Sequence, residues 1–92
     1  MSKVIITAQV ENTMKWEEGF RTHAELFKAQ TINKPIGIGI GEDSHVALCI
    51  EMEDLATYLD LMNSDQTAEA MAFDGVKPET VKMFVLDREF AF

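Results

Sequence analysis

Apolar and polar positions alternate through "KVIITAQV" (3–10), with Val4, Ile6, Ala8 and Val10 on one side and Ile5, Thr7 and Gln9 on the other. β-Branched residues at a period of two predict a strand. The period then lengthens. Asn12 or Thr13 can cap a helix whose first turns carry Glu17 and Glu18, near the positive end of its dipole. Trp16, Phe20, His23, Ala24 and Phe27 fall on one apolar stripe of that helix, which should fade near Gln30, ahead of Pro35. Alternation returns in "HVALCIEM" (45–52), where Val46, Leu48, Ile50 and Met52 oppose His45, Ala47, Cys49 and Glu51. Leu55, Leu59 and Met62 mark a second helix that starts on the acidic pair Glu53–Asp54. Ser64 can cap a short continuation, "DQTAEAMAF", which Gly75 ends. "DGVKPET" reads as a connector and "TVKMFVLDREFAF" (80–92) as a long final strand. The predicted order is β-α-β-β-α-β, a single α+β domain over residues 1–92.

Between the first helix and the "HVALCIEM" strand lies "PIGIGIG", in which Gly37, Gly39 and Gly41 alternate with isoleucines. A phosphate-binding loop would place such glycines between a strand and a helix N-terminus, with a Lys-Ser/Thr pair following. Here a turn and another strand follow instead, so the segment is a strand with one face stripped of side chains. Interior strand glycines cost about 0.5–1 kcal/mol each relative to alanine. They usually mark a close approach, here by a helix, a second sheet or a ligand. A three-residue turn at Glu42, Asp43 and Ser44 pairs Gly39 with Ala47 and Gly37 with Cys49. A two-residue turn would exchange the faces. The absence of an Asn-Gly or Asp-Gly signal favours the three-residue turn. It yields one continuous aliphatic face and one small, mildly polar face of Thr7, Gln9, Gly37, Gly39, Ala47 and Cys49.

Composition narrows the partners. A net charge of −8, with eight Lys and Arg scattered singly, offers no basic stripe for a nucleic acid. No apolar run approaches the roughly 18 residues of a membrane helix, and the N-terminus does not read as a signal segment. The single cysteine precludes an internal disulfide and fits a reducing, cytoplasmic setting. Phe84, Leu86, Phe90 and Phe92 share parity in the last segment, and exposed aromatics of this kind call for a cover. A partner subunit would supply it; the alternative is that they fold back on their own core.

The aromatic first helix with its histidine, "WEEGFRTHAELF", and the segment "NSDQTAEAMAFDGVKPETVKMFVL" resemble the dimeric α+β barrel superfamily. Its members include cofactor-free antibiotic-biosynthesis-type monooxygenases, muconolactone-isomerase-like and YciI-like proteins. The resemblance implies a ferredoxin-like fold with a four-stranded antiparallel sheet, pairing of two sheets across a homodimer, and a ligand cavity between a sheet and its own helices.

His23 is the catalytic candidate, because imidazole is the side chain that ordinarily titrates near neutral pH. The plainer reading is a satisfied core histidine. His45 falls at the hairpin edge. It stands about 13 Å along the strand from Cys49, too far for a nucleophile–base pair, which needs about 3 Å. Cys49 could meet His23 only if the sheet turned it toward the helices; otherwise it is a small hydrophobe. Glu53 and Asp54 are explained as helix-capping residues. Two separated histidines and one cysteine give no metal site, and no cofactor is expected. Met62, Met71 and Met83 read as core or as an adaptable apolar pocket. The candidate ligand-binding residues are Trp16, Phe20, Phe27, Gly37, Gly39 and Cys49. Two functions follow. One is a small-molecule-binding homodimer acting as a cofactor-free monooxygenase or isomerase on a small apolar or aromatic compound. The other is a non-catalytic ligand carrier or protein-interaction module.

Overall fold

The alternating N-terminal segment forms strand β1 (Ser2–Gln9), whose pleat turns Val4, Ile6 and Ala8 to one side, where all three are buried. Residues 2–92 are described by a computed structural model. In it β1 is central, with β3 (His45–Met52) on one flank and β4 (Lys82–Val85) on the other. β2 (Gly37–Ile40) lies outside β3, giving a four-stranded antiparallel sheet in the order β2-β3-β1-β4. This is the ferredoxin-like α+β architecture that the pattern predicts. Among the described residues no helix is long and apolar enough to cross a membrane.

The hairpin register settles the glycine faces. Gly37 pairs with Cys49, Gly39 with Ala47, Ile38 with Leu48 and Ile40 with Val46. The turn is therefore the three-residue one, with Asp43 and Ser44 both at positive φ (59° and 58°). The aliphatic side of β2 and β3 joins Val4, Ile6 and Ala8 of β1. Around it Tyr58 packs on Val4, Ile6, Ile50 and Met52, and Trp16 packs on Ala8, Val10 and Val46. Full burial of side chains of this size contributes about 1.5–3 kcal/mol each, so these two clusters hold the helices to the sheet.

The first helix is not continuous. It divides into α1 (Thr13–Phe20) and α2 (Ala24–Ala29). At the break the Thr22 hydroxyl and Thr22 N–H both bond to the Gly19 carbonyl, at 2.6 and 3.0 Å, and His23 N–H bonds to Phe20. A side chain that competes for a helical carbonyl next to a glycine tightens the turn and ends the helix. The break resets the stripe: Ala24 is exposed and Leu26 is buried in its place.

The second helical region follows the capping residues. Asp54 accepts from Thr57 N–H at 3.1 Å and starts α3 (Leu55–Met62). Ser64 accepts from Thr67 N–H and starts α4 (Asp65–Phe73). Gly75 follows at φ 76°, where residues with a Cβ are strained.

The last strand is much shorter than the predicted span of 80–92. Pro78–Thr80 forms a 3-10 turn, pairing covers Lys82–Val85, and one further bond joins Leu86 N–H to the Lys3 carbonyl. β4 thus leaves the ladder before β1 ends, since Ser2 and Lys3 still pair with β3. Phe84, Leu86, Phe90 and Phe92 are all exposed and do not fold back on the core. Met83, expected in the core, is 38% exposed because β4 is an edge strand.

Candidate functional site

Asn12 caps α1 by accepting from Lys15 N–H at 3.0 Å and thereby sets the helix phase that sends Trp16 onto the sheet. Trp16 is 3% exposed and stacks on Phe20 at 5.2 Å between centroids. Phe20 in turn meets Phe27 at 4.8 Å, across the break between α1 and α2. His23 sits in that break, edge-on to Phe27 at 6.2 Å and to Phe73 at 6.4 Å. The interruption of the helix thus sets Trp16, Phe20, Phe27 and His23 in one series of ring contacts, which Phe73 joins.

From the opposite side, the end of α4 delivers Asp74. Its Oδ2 lies 2.9 Å from His23 Nε2, and its side chain is 4% exposed. Its Oδ1 has no hydrogen-bond partner. Burial pushes the Asp74 carboxyl above its ordinary pKa, and the hydrogen bond and charge of His23 pull it partly back. Gly19 is what makes room for it, since a Cβ there would collide with Asp74 Oδ1. When Asp74 is ionised its carboxylate only accepts, and the contact is then Nε2–H donating to Oδ2. A carboxylate that holds an imidazole in this way can orient it as a general base.

The pair borders a cavity of about 80 Å³ between the inner sheet face and the helices. One water needs about 10–15 Å³ of such space, so the cavity has room for a few waters or one small ring. Ala8, Val46 and Leu48 form its floor, and Trp16, Phe20 and Leu26 part of its wall. Its polar groups besides the His23–Asp74 pair are Tyr58, Gln30 and Thr67. Gln30 Nε2 donates to Thr67 Oγ1 at 3.4 Å, which accounts for that buried amide. Met62 and Met71 also border the space, as adaptable apolar side chains would.

The predicted site residues therefore divide. Trp16, Phe20, His23 and Phe27 all border the cavity. Gly37, Gly39 and Cys49 share the other face of the sheet with Thr7 and Ala47, and Cys49 is exposed there. Cys49 and His23 are thus on opposite sides of the sheet. His45 is occupied at the hairpin, with Nδ1 3.1 Å from the Glu42 carbonyl. Among the described residues no three His, Cys, Asp or Glu side chains converge as a metal cradle.

Asp74, Tyr58 and Gln30 escape the sequence reading. Tyr58 and Gln30 both lie on the apolar stripes of their helices, Tyr58 three residues after Leu55 and Gln30 three after Phe27, so spacing was the signal that could have found them. Asp74 carries a legible signal. A carboxylate beside the negative end of a helix, just before the terminating glycine, opposes the local dipole rule. Breaches of local rules concentrate at functional positions.

Sheet order and helix placement are those of a ferredoxin-like α+β domain, the fold that solved antibiotic biosynthesis monooxygenase structures share. No family model and no curated protein matches the chain. Solved structures do. A candidate antibiotic biosynthesis monooxygenase from Bordetella bronchiseptica is similar with a TM-score of 0.73 at 13% identity, over 97% of each chain. SnoaB from Streptomyces nogalater, a cofactor-independent oxygenase, is similar with a TM-score of 0.71 at 9% identity, over 98% of this chain and 94% of that one. An ethyl tert-butyl ether d (ethd) family protein from Bacillus halodurans gives 0.55 at 16% identity, over 97% and 100%. At such identities the likeness is one of fold, and function is argued from the site.

Proposed function

We propose that the protein is a small-molecule-binding enzyme of the cytoplasm. It takes a proton from a small, largely apolar or aromatic compound without a cofactor, as the first step of an oxygenation or an isomerisation. The observation that carries this reading is the His23–Asp74 pair at 2.9 Å on the wall of a largely apolar cavity. His23 Nδ1 is the base, and Asp74 holds the ring and stabilises the imidazolium that forms. For isomerisation the proton returns to a different carbon of the substrate and no electrons are exchanged. For oxygenation the substrate carbanion combines with dissolved O₂ to form a hydroperoxide. Loss of water then leaves a carbonyl, with one oxygen atom in the product and one in the water. The similarity in fold to a cofactor-independent oxygenase supports the second course. The outer sheet face, flat and set with small residues beside exposed Phe84 and Leu86, supports assembly as a homodimer through that face.

The test is incubation with a panel of one-ring compounds in D₂O under air, with mass spectrometry to detect deuterium exchange or gain of oxygen. His23→Gln should lose 100-fold or more, the usual scale of general-base catalysis. His45→Gln and Cys49→Ala should lose less than about tenfold. Full activity in the His23 variant would remove the mechanism and leave the carrier or interaction module as the better reading.

A further inference from the structure

Tyr58 is completely inaccessible, and its hydroxyl has no hydrogen-bond partner. The ring has an evident task, packing on Val4, Ile6, Ile50 and Met52. Phenylalanine would perform that task without the desolvation cost of an unpaired hydroxyl. Tyr58 also borders the cavity that His23 and Asp74 border. The other unpartnered buried atom, Asp74 Oδ1, fills the space that a Cβ on Gly19 would occupy, so the peptide backbone closes it off. The Tyr58 hydroxyl has no comparable explanation within the protein.

We propose that a substrate entering the cavity displaces the side chains that cover the Tyr58 hydroxyl and accepts a hydrogen bond from it through an oxygen, and that the substrate class is a one-ring phenol or an enolisable cyclic ketone. The inference rests on His23 as the base. Removing a phenolic proton, or one from the carbon beside a carbonyl, leaves an electron pair that settles on the substrate oxygen. That oxyanion accepts from Tyr58 O–H while the proton resides on the His23 imidazole, so charge and atoms balance without an oxidant in this step. A hydrogen bond to the anion is stronger than one to the neutral substrate, which directs its benefit to the proton transfer. Burial raises the Tyr58 hydroxyl pKa, so the group remains a donor at physiological pH. No lysine or arginine borders the cavity. A carboxylate or phosphate would enter it unpaired, which disfavours acids as substrates.

Phenol and toluene are nearly equal in size and differ in the oxygen, so they serve as probes. Their affinities are measured by NMR titration for the wild-type chain and for Tyr58→Phe. Tyr58→Phe should weaken phenol about tenfold, the scale of one net hydrogen bond, and leave toluene unchanged or tighter. The variant should also melt at or above the wild-type temperature, since it loses only an unpaired hydroxyl. Unchanged phenol affinity, or equal weakening of both probes, overturns the assignment of Tyr58 while leaving the His23 activity result to stand by itself. A lower melting temperature would show that the hydroxyl has a partner within the protein and would also overturn it. Failure of wild type to bind either probe overturns this inference together with the cavity as a site for one-ring compounds.

Discussion

Ile50 and Cys49 are adjacent in β3 and live in opposite surroundings. Ile50 is 3% exposed beneath the helices, in the cluster that anchors Tyr58, whereas Cys49 is exposed on the far side of the sheet. The same division runs through the sheet. The inner face carries branched aliphatic side chains and the floor of the cavity. The outer face carries Thr7, Gly37, Gly39, Ala47 and Cys49, together with the Lys3–Glu51 ion pair at 3.3 Å. The inner face is built to fill and enclose. The outer one is built to leave room, since a Cβ on Gly39 would meet only Ala47, at 3.9 Å. Its glycines are not explained by packing within the chain, which is why the homodimer reading places a second sheet there.

The largest effect should come from the pair that defines this contrast. Ile50→Ala removes buried carbons from a packed cluster and should cost about 2–5 kcal/mol. Cys49→Ala should stay within about 0.5 kcal/mol, as changes away from packed features do. Denaturant midpoints measure both, and equal losses would break the distinction between the faces.

Gly39→Val sharpens it next. With ordinary van der Waals space around the new Cβ, the folded chain should tolerate valine, whose strand preference is favourable. Close apposition of a second sheet should not, and overpacking should weaken the dimer by about 1–3 kcal/mol. Sedimentation across a concentration series reads this. A dimer unaffected by valine would mean that the outer face is not the interface.

The smallest effect concerns Asp74. Its carboxyl pKa is raised above the ordinary 3.8, mainly by burial. Between those two values the folded chain keeps a proton that the unfolded chain has lost, so stability falls as pH rises through that window. The contribution is complete below the ordinary value and gone above the raised one. Asp74→Asn lacks this titration. It should match or exceed the wild-type melting temperature at pH 7, with the advantage shrinking as the pH falls toward 4. A difference that does not change with pH would show that burial of this carboxylate carries no cost.

Period and capping made most elements readable in advance. The β3 strand, the Asp54 and Ser64 caps and the span of α4 follow from residues a few positions apart, which is the range over which pleat and helical turn act. The three-residue hairpin turn was legible for the same reason, and it assigned the glycines to one face. The break at Thr22 was not, because it depends on a hydroxyl choosing a helical carbonyl over solvent. With it went the burial of Leu26.

What the chain determined by itself was the alternation, the order β-α-β-β-α-β, and the stripe that puts Trp16, Phe20, His23 and Phe27 together. Only the tertiary structure decided that Asp74, 51 positions from His23, would meet it at 2.9 Å. It also decided that Tyr58 would border the same cavity and that the last strand would pair with β1 only from Lys82 to Val85. Local pattern reports which side of an element a residue faces. Which other element lies there is set by packing across the sheet, through contacts distant in sequence that no single period encodes.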